Sequence, residues 1–145
     1  MTGVEFHVNV ADKLDYACRL LRKAVAKGAK VVVTGEDALL RDLDKALWTF
    51  SPTEFLPHCY GDALGPAVLA ASPVVLADAA RNAPHQQVLV NLGSQVPEGF
   101  ERFERLIEIV TAQQEDRQQG ILRWKHYAAR GYAIVKHDQA AKETS

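Results

Sequence analysis

Lys30-Val31-Val32-Val33-Thr34 (KVVVT) is the stretch that decides the fold. Three consecutive valines leave neither side of an extended segment polar. A strand that is apolar on both faces must be covered on both, as the strands of a parallel sheet are. Working outward toward the N-terminus, Leu14, Ala17, Cys18, Leu21, Ala24 and Val25 recur at helical spacing, with Arg19, Arg22, Lys23 and Lys27 on the other faces. Asp12 is placed to cap this helix, Asp15 sits near its positive end and Gly28 stops it. Before it, Val4 to Val10 (VEFHVNV) alternates apolar and polar residues and is rich in β-branched side chains, which predicts a strand. Strand, helix and strand of these lengths form a right-handed βαβ unit.

Beyond KVVVT, Thr34 and Gly35 lead into a second helix. Glu36 and Asp37 lie in its first turn, Leu39, Leu43, Ala46, Leu47 and Phe50 form its buried stripe, and Ser51-Pro52 ends it. Glu54 to Tyr60 (EFLPHCY) is short and carries a proline, so it reads as an extended piece or edge strand. Gly61 to Pro73 reads as a surface loop. Val74 to Ala77 and Val88 to Leu92 read as core strands joined by a polar connector, Asp78 to Gln87. Glu98 to Phe103 predicts a helical turn, Leu106 to Val110 a strand, Gln114 to Arg130 a last helix ended by Gly131, and Tyr132 to Val135 a final short strand. The expectation is an α/β fold in three layers, α/β/α, around a mostly parallel sheet of Rossmann-like topology without a phosphate-binding loop. Residues 1–136 form one domain and 137–145 a polar, frayed tail.

A chain of 145 residues is long enough to bury a core without disulfides or metal. The net charge of −1 excludes the domain-wide basic excess of a protein that lives on the nucleic-acid backbone. Cys18 and Cys59 make no disulfide framework, which fits a reducing cytoplasm. No signal peptide opens the chain, and no apolar run approaches the roughly 20 residues of a membrane span.

An alternating α/β chain invites a nucleotide, so the turns after the strands matter. They read Asn9-Val10-Ala11-Asp12 and Thr34-Gly35-Glu36-Asp37. Neither offers a glycine cradle of backbone N–H groups, and the second puts two carboxylates where phosphate would sit. His58 and Cys59, neighbours on an extended segment, point to opposite faces and do not activate each other. His7, His85, His126 and His137 show no metal-ligand spacing with either cysteine. Glu36-Asp37, Glu104 with Glu108, and Glu115-Asp116 fit helix caps, turns or solvated faces better than acid–base pairs. No catalytic, cofactor or metal site is expected.

Two features remain. Arg117 to Lys136 (RQQGILRWKHYAARGYAIVK) holds five basic residues and no acid, so the rest of the chain nets −6. On a helix, Arg117, Ile121, Trp124 and Ala128 share a stripe with Lys125 at its edge, while Arg123, Tyr127 and Arg130 take an adjacent face. This surface suits a partner that brings negative charge and one apolar group. The same Ile121, Trp124 and Ala128 serve equally as the stripe that packs the helix on the core. The second feature is the crowding of Trp48, Phe50, Phe55, Leu56, Pro57 and Tyr60 around a helix end and loop, either core or a protein interface.

Taken together, the VEFHV strand, Ala46-Leu47-Trp48 followed by Phe55-Leu56-Pro57-His58, the VLVNL strand, and Arg123-Trp124-Lys125-His126-Tyr127 with Gly131-Tyr132 resemble the chi subunit family of bacterial DNA polymerase III, over nearly the whole chain. The resemblance implies a non-catalytic part of the clamp-loader assembly, with a nucleotide-binding-like fold that lacks the phosphate loop. It implies two partners: the psi subunit, which tethers the family to the clamp loader, and the acidic C-terminal tail of single-stranded DNA-binding protein, which ends in Pro-Phe. By the same matching, Trp124 and Lys125 border the tail site, Arg117 is a basic position two turns earlier and Arg123 is their neighbour. Ile121 stands where better-known members carry another arginine. Trp48, Phe55, Pro57 and His58 belong to the psi surface. Neither a cofactor, direct nucleic-acid binding nor a membrane is implied. Read without the resemblance, the residues leave open a small nucleotide-binding α/β enzyme with an unrecognised loop, or a scaffold that dimerises through its aromatic cluster.

Overall fold

The structure, a computed structural model, describes residues 2–49, 58–60, 74–77 and 85–140. In chain order the elements are β1 (Gly3–Val10), α1 (Lys13–Ala26), β2 (Val31–Thr34), α2 (Asp37–Thr49), β3 (His58–Tyr60), β4 (Val74–Leu76), β5 (Val88–Asn91), a 3-10 turn (Phe100–Arg102), β6 (Arg105–Thr111), α3 (Gln114–Ala129) and β7 (Ile134–Asp138). The seven strands form one sheet in the order β3-β4-β2-β5-β6-β1-β7, and every pairing is parallel.

The valines of β2 explain the layering. All four residues of β2 are buried, and alternation sends Val31 and Val33 to one side of the sheet and Val32 to the other. On the first side Ala17, Cys18 and Leu21 of α1 and Leu40 and Leu43 of α2 pack on Val10, Val31, Val33, Val90 and Ile109. On the second, Phe100, Phe103 and Tyr127 pack on Val4, Phe6, Val32, Leu89, Leu106 and Val110. The result is the expected α/β/α sandwich.

The helix ends follow their local chemistry. Asp12, extended at φ −135°, accepts the Asp15 N–H at 2.9 Å and caps α1. Gly131, at φ +82°, lets the chain turn back after α3, so that the Gly131 N–H reaches the Ala128 carbonyl and the Tyr132 N–H the Tyr127 carbonyl. Tyr132 and Ala133, expected to open the last strand, are therefore part of this turn.

β7 also runs beyond the expected Val135. His137 and Asp138, read from sequence as tail, pair with His7 and Val8 of β1. Polar residues suit an edge strand, which has one paired side and one free side. The ends of the second helix beyond Thr49, the expected loop 61–73, residues 78–84 of the polar connector and 141–145 of the tail lie outside the described residues. Among the described residues no helix is long and apolar enough to cross a membrane.

In doubly wound sheets a ligand binds at the C-terminal ends of the strands. Here that ground holds an open cleft of about 420 Å³ beyond β1 and β6, lined by Lys13, Thr111 and Asp116 among others, and side chains of the protein cross its edges. Glu36 accepts hydrogen bonds from the Ser94 N–H at 3.1 Å and hydroxyl at 2.9 Å. Lys13 joins the Leu92 carbonyl to Asp116, both at 3.2 Å.

Candidate functional site

The helix α3 has two faces with opposite characters. Its inner face is Gly120, Arg123 and Tyr127, spaced to lie on one stripe, and all three are buried. Gly120 sets the approach: a Cβ there would meet Val110 Cγ2 of β6 at 2.9 Å, closer than side chains pack. Drawn in this far, Arg123 is 2 % exposed and reaches Glu108, a fully buried carboxylate in the middle of β6. Arg123 Nε donates to Glu108 Oε1 at 2.9 Å and the Tyr127 hydroxyl to Oε2 at 2.5 Å. Asn91 Nδ2 donates to both oxygens, at 3.0 and 3.1 Å. Arg123 also donates through Nη1 to the Ser94 carbonyl at 3.0 Å. Burial pushes the Glu108 carboxyl above its ordinary range, and the Arg123 guanidinium with the Tyr127 and Asn91 donors pulls it back. Those partners offset only part of the effect of burial, so the carboxyl stays above its ordinary value.

The outer face opens on a pocket of about 370 Å³ between α3 and the edge of the sheet. Phe6 and Val8 of β1 and Val110 of β6 give it an apolar floor, and Trp124 forms a wall. The Phe6 and Trp124 rings pack with centroids 4.9 Å apart and planes tilted by 54°. Arg117, Lys125 and Lys136 stand around it, with Gly120, Ile121 and Asn9 completing the lining. These three cations have no ion-pair partner among the described residues. Asn9 adopts φ +58°, rare for a side-chain-bearing residue, at the point where β1 shifts register against β6 between His7 and Val10. Its amide donates to Asp138 at 2.9 Å, fixing the lip of the pocket to the end of β7.

Of the residues expected from sequence, Arg117, Ile121, Trp124 and Lys125 therefore meet at one pocket. Arg123 does not join them, because its guanidinium faces Glu108 and not solvent. Nor is the Ile121, Trp124 and Ala128 stripe the core face: Ile121 is 52 % exposed and Ala128 is exposed as well. Glu108, read with Glu104 as part of a charged or solvated surface, is instead the most enclosed charge on β6. The floor residues Phe6, Val8 and Val110 and the rim residue Lys136 were not singled out by sequence. Trp48 lies in α2 and His58 opens β3, the strand at the opposite edge of the sheet from β7. Phe55 and Pro57 lie outside the described residues.

The pocket can hold one apolar group against Phe6 and Trp124 while cations meet neighbouring negative charge. Comparison with known proteins agrees with the sequence. Residues 1–135 match the family described as "DNA polymerase III chi subunit, HolC". The chain is 30% identical over 142 residues to the protein named DNA polymerase III subunit chi of Pseudomonas aeruginosa, covering 94% of this chain and 96% of that one. It is 27% identical over 122 residues to the protein of the same name from Haemophilus influenzae, covering 83% of each.

Proposed function

The chain belongs to the DNA polymerase III chi subunit family, and from that premise we propose that it is a non-catalytic adaptor of the cytoplasmic replication machinery. It links the clamp loader, through psi, to the acidic C-terminal tail of single-stranded DNA-binding protein. The observation that carries this reading is the pocket of α3, with an apolar floor of Phe6 and Val8, a Trp124 wall and three cations without partners among the described residues. A peptide that ends in Pro-Phe behind aspartates fits it: the terminal ring packs on Phe6 and Trp124, and the carboxylates meet Arg117, Lys125 and Lys136. Ile121 adds apolar contact where a cation would otherwise stand. Arg123 serves the site indirectly, by holding α3 on β6. The psi surface is assigned to Trp48, Phe55, Pro57 and His58. With β3 and β7 at opposite ends of the sheet, His58 and the tail pocket sit at separate edges, an arrangement that favours simultaneous occupancy.

The test is titration of a fluorescent peptide ending in Asp-Ile-Pro-Phe with a free carboxylate. Saturable binding, lost in folded Trp124→Ala and Lys125→Glu chains and weakened by salt, is the expected result. Binding that survives both substitutions places the tail elsewhere, and absence of binding removes the tail as the ligand. Co-purification with psi should persist in the same two variants if the surfaces are separate.

A further inference from the structure

The side of β1 opposite the docking pocket carries a cluster that the adaptor reading does not use. Glu5 and His7 alternate with Phe6 and so point away from the pocket, and His137 stands directly across from His7 on β7. Glu5 Oε1 lies 3.3 Å from His137 Nε2 and 3.9 Å from His7 Nε2, and the three donor atoms all fall within 4.8 Å of one another. We propose that Glu5, His7 and His137 form a binding site for a zinc-class divalent cation.

Two of the three ligands are oriented as a metal site requires. The His7 Nδ1 is hydrogen-bonded to the Tyr16 hydroxyl of α1. With Nδ1 protonated and donating to Tyr16, Nε2 presents its lone pair, and that buried atom has no hydrogen-bond partner among the described residues. Its 3.9 Å approach to Glu5 is longer than a hydrogen bond, so the carboxylate does not satisfy it. Glu5 is fixed through its other oxygen: Arg105 donates to Oε2 from Nη2 at 2.6 Å and from Nε at 2.8 Å, leaving Oε1 turned toward both imidazoles. Two imidazoles and a carboxylate are a donor set for borderline divalent ions. With metal–ligand distances of about 2.0–2.1 Å, tetrahedral donors lie about 3.3–3.4 Å apart. The Glu5–His137 separation already meets that figure. The His7 ring must close by less than about 1.5 Å, which a shift of His137, on the edge strand and about one-third exposed, can absorb. Three protein ligands leave a fourth position for water.

The test uses the untagged full chain, freed of metal with a chelator and titrated with Zn²⁺ against a chromophoric competitor. Absorption of the Co²⁺ form is recorded in parallel. The expected result is one equivalent bound, with visible bands of a four-coordinate cobalt site. Affinity should fall by about 10-fold or more in His7→Gln and in His137→Gln and stay unchanged in His126→Gln. Tyr16→Phe, which removes only the outer partner, should lose about 10–100-fold. Absence of stoichiometric binding, or equal affinity in the native chain and His137→Gln, overturns the site and leaves an ordinary histidine–carboxylate contact that ties β7 to β1. If His7→Gln melts early, His137→Gln on the exposed edge decides the matter alone.

Discussion

The inner and outer faces of α3 use the same chemistry to opposite ends. On the inner face Arg123 meets a buried carboxylate that also accepts from Tyr127 and Asn91. On the outer face Arg117 and Lys125 border an apolar pocket and have no ionic partner among the described residues. A cation whose partners are supplied by the fold is committed to holding it. A cation beside apolar surface with no partner of its own is available to a ligand. Residue type and helical spacing do not separate the two, and burial against Glu108 does.

The sharpest way to break this contrast is to remove one arginine from each face. Arg123→Ala leaves Glu108 enclosed without its counter-charge and should cost about 3–5 kcal/mol. Urea denaturation reads this as a lower midpoint with the slope kept. Arg117→Ala should stay within about 0.5 kcal/mol of the native chain in the same measurement. Next in size, Trp124→Ala should weaken the tail peptide by about 2 kcal/mol or more, roughly 30-fold, as loss of a central aromatic anchor does. Its effect on binding should exceed that of any single rim cation, measured by the same fluorescence titration.

Asp116 sharpens the comparison at the start of α3, where its carboxylate accepts the Thr111 N–H at 2.7 Å and hydroxyl at 3.0 Å and pairs with Lys13 at 3.2 Å. Burial works against the charge, but the Thr111 donors and Lys13 outweigh it and hold the carboxyl below its ordinary value. A carboxylate lowered on folding contributes stability in full above its unfolded pKa of about 3.9 and loses it as pH falls through the folded value. Asp116→Asn should therefore cost about 1.5 kcal/mol at pH 7, since the amide oxygen keeps the two Thr111 donors, which share Oδ2, but loses the charge and the Lys13 pair on Oδ1. The gap between variant and native denaturation midpoints should narrow at pH 3. A modest effect belongs to Gly120, on the inner face where α3 meets β6. Gly120→Ala gains about 1 kcal/mol of helix propensity and loses about 1–3 kcal/mol to the clash with Val110, for a modest net loss. The penalty should shrink in a Val110→Ala background, which a double-mutant cycle of melting free energies measures.

The strands were legible because Val31, Val32 and Val33 leave no polar side, and α1 because Asp12 and Gly28 mark its ends. The pocket was half legible. Arg117, Ile121, Trp124 and Lys125 lie within nine residues of one helix, so local geometry groups them. Its floor was hidden because Phe6 and Val8 arrive from the first strand. Alternation says that they share a face but not which helix covers it. Arg123 was misplaced because a surface prior applies to arginine. The contrary signals were a glycine in mid-helix at 120, which costs stability unless a close approach needs it, and Glu108 between two isoleucines in a strand with no polar side. The polar appearance of 136–138 concealed the second half of β7, because edge strands do not need the double-sided apolar pattern that identified β2.

Parallel pairing also sets an order in time. β1 meets β6 from Gly3 against Arg105 and β7 from Val4 against Ile134, so β1 is synthesised about 100 residues before the nearer of these two neighbours. At a synthesis rate of about 5–20 residues per second, that wait is roughly 5–20 s, and pairings so distant in sequence are slow to close. The pocket draws on β1, β6, α3 and β7, the two extremes of the chain brought together. A nascent or truncated chain that stops before α3 therefore lacks this pocket, whose apolar floor, Trp124 wall and Lys136 rim come together only once β7 is in place.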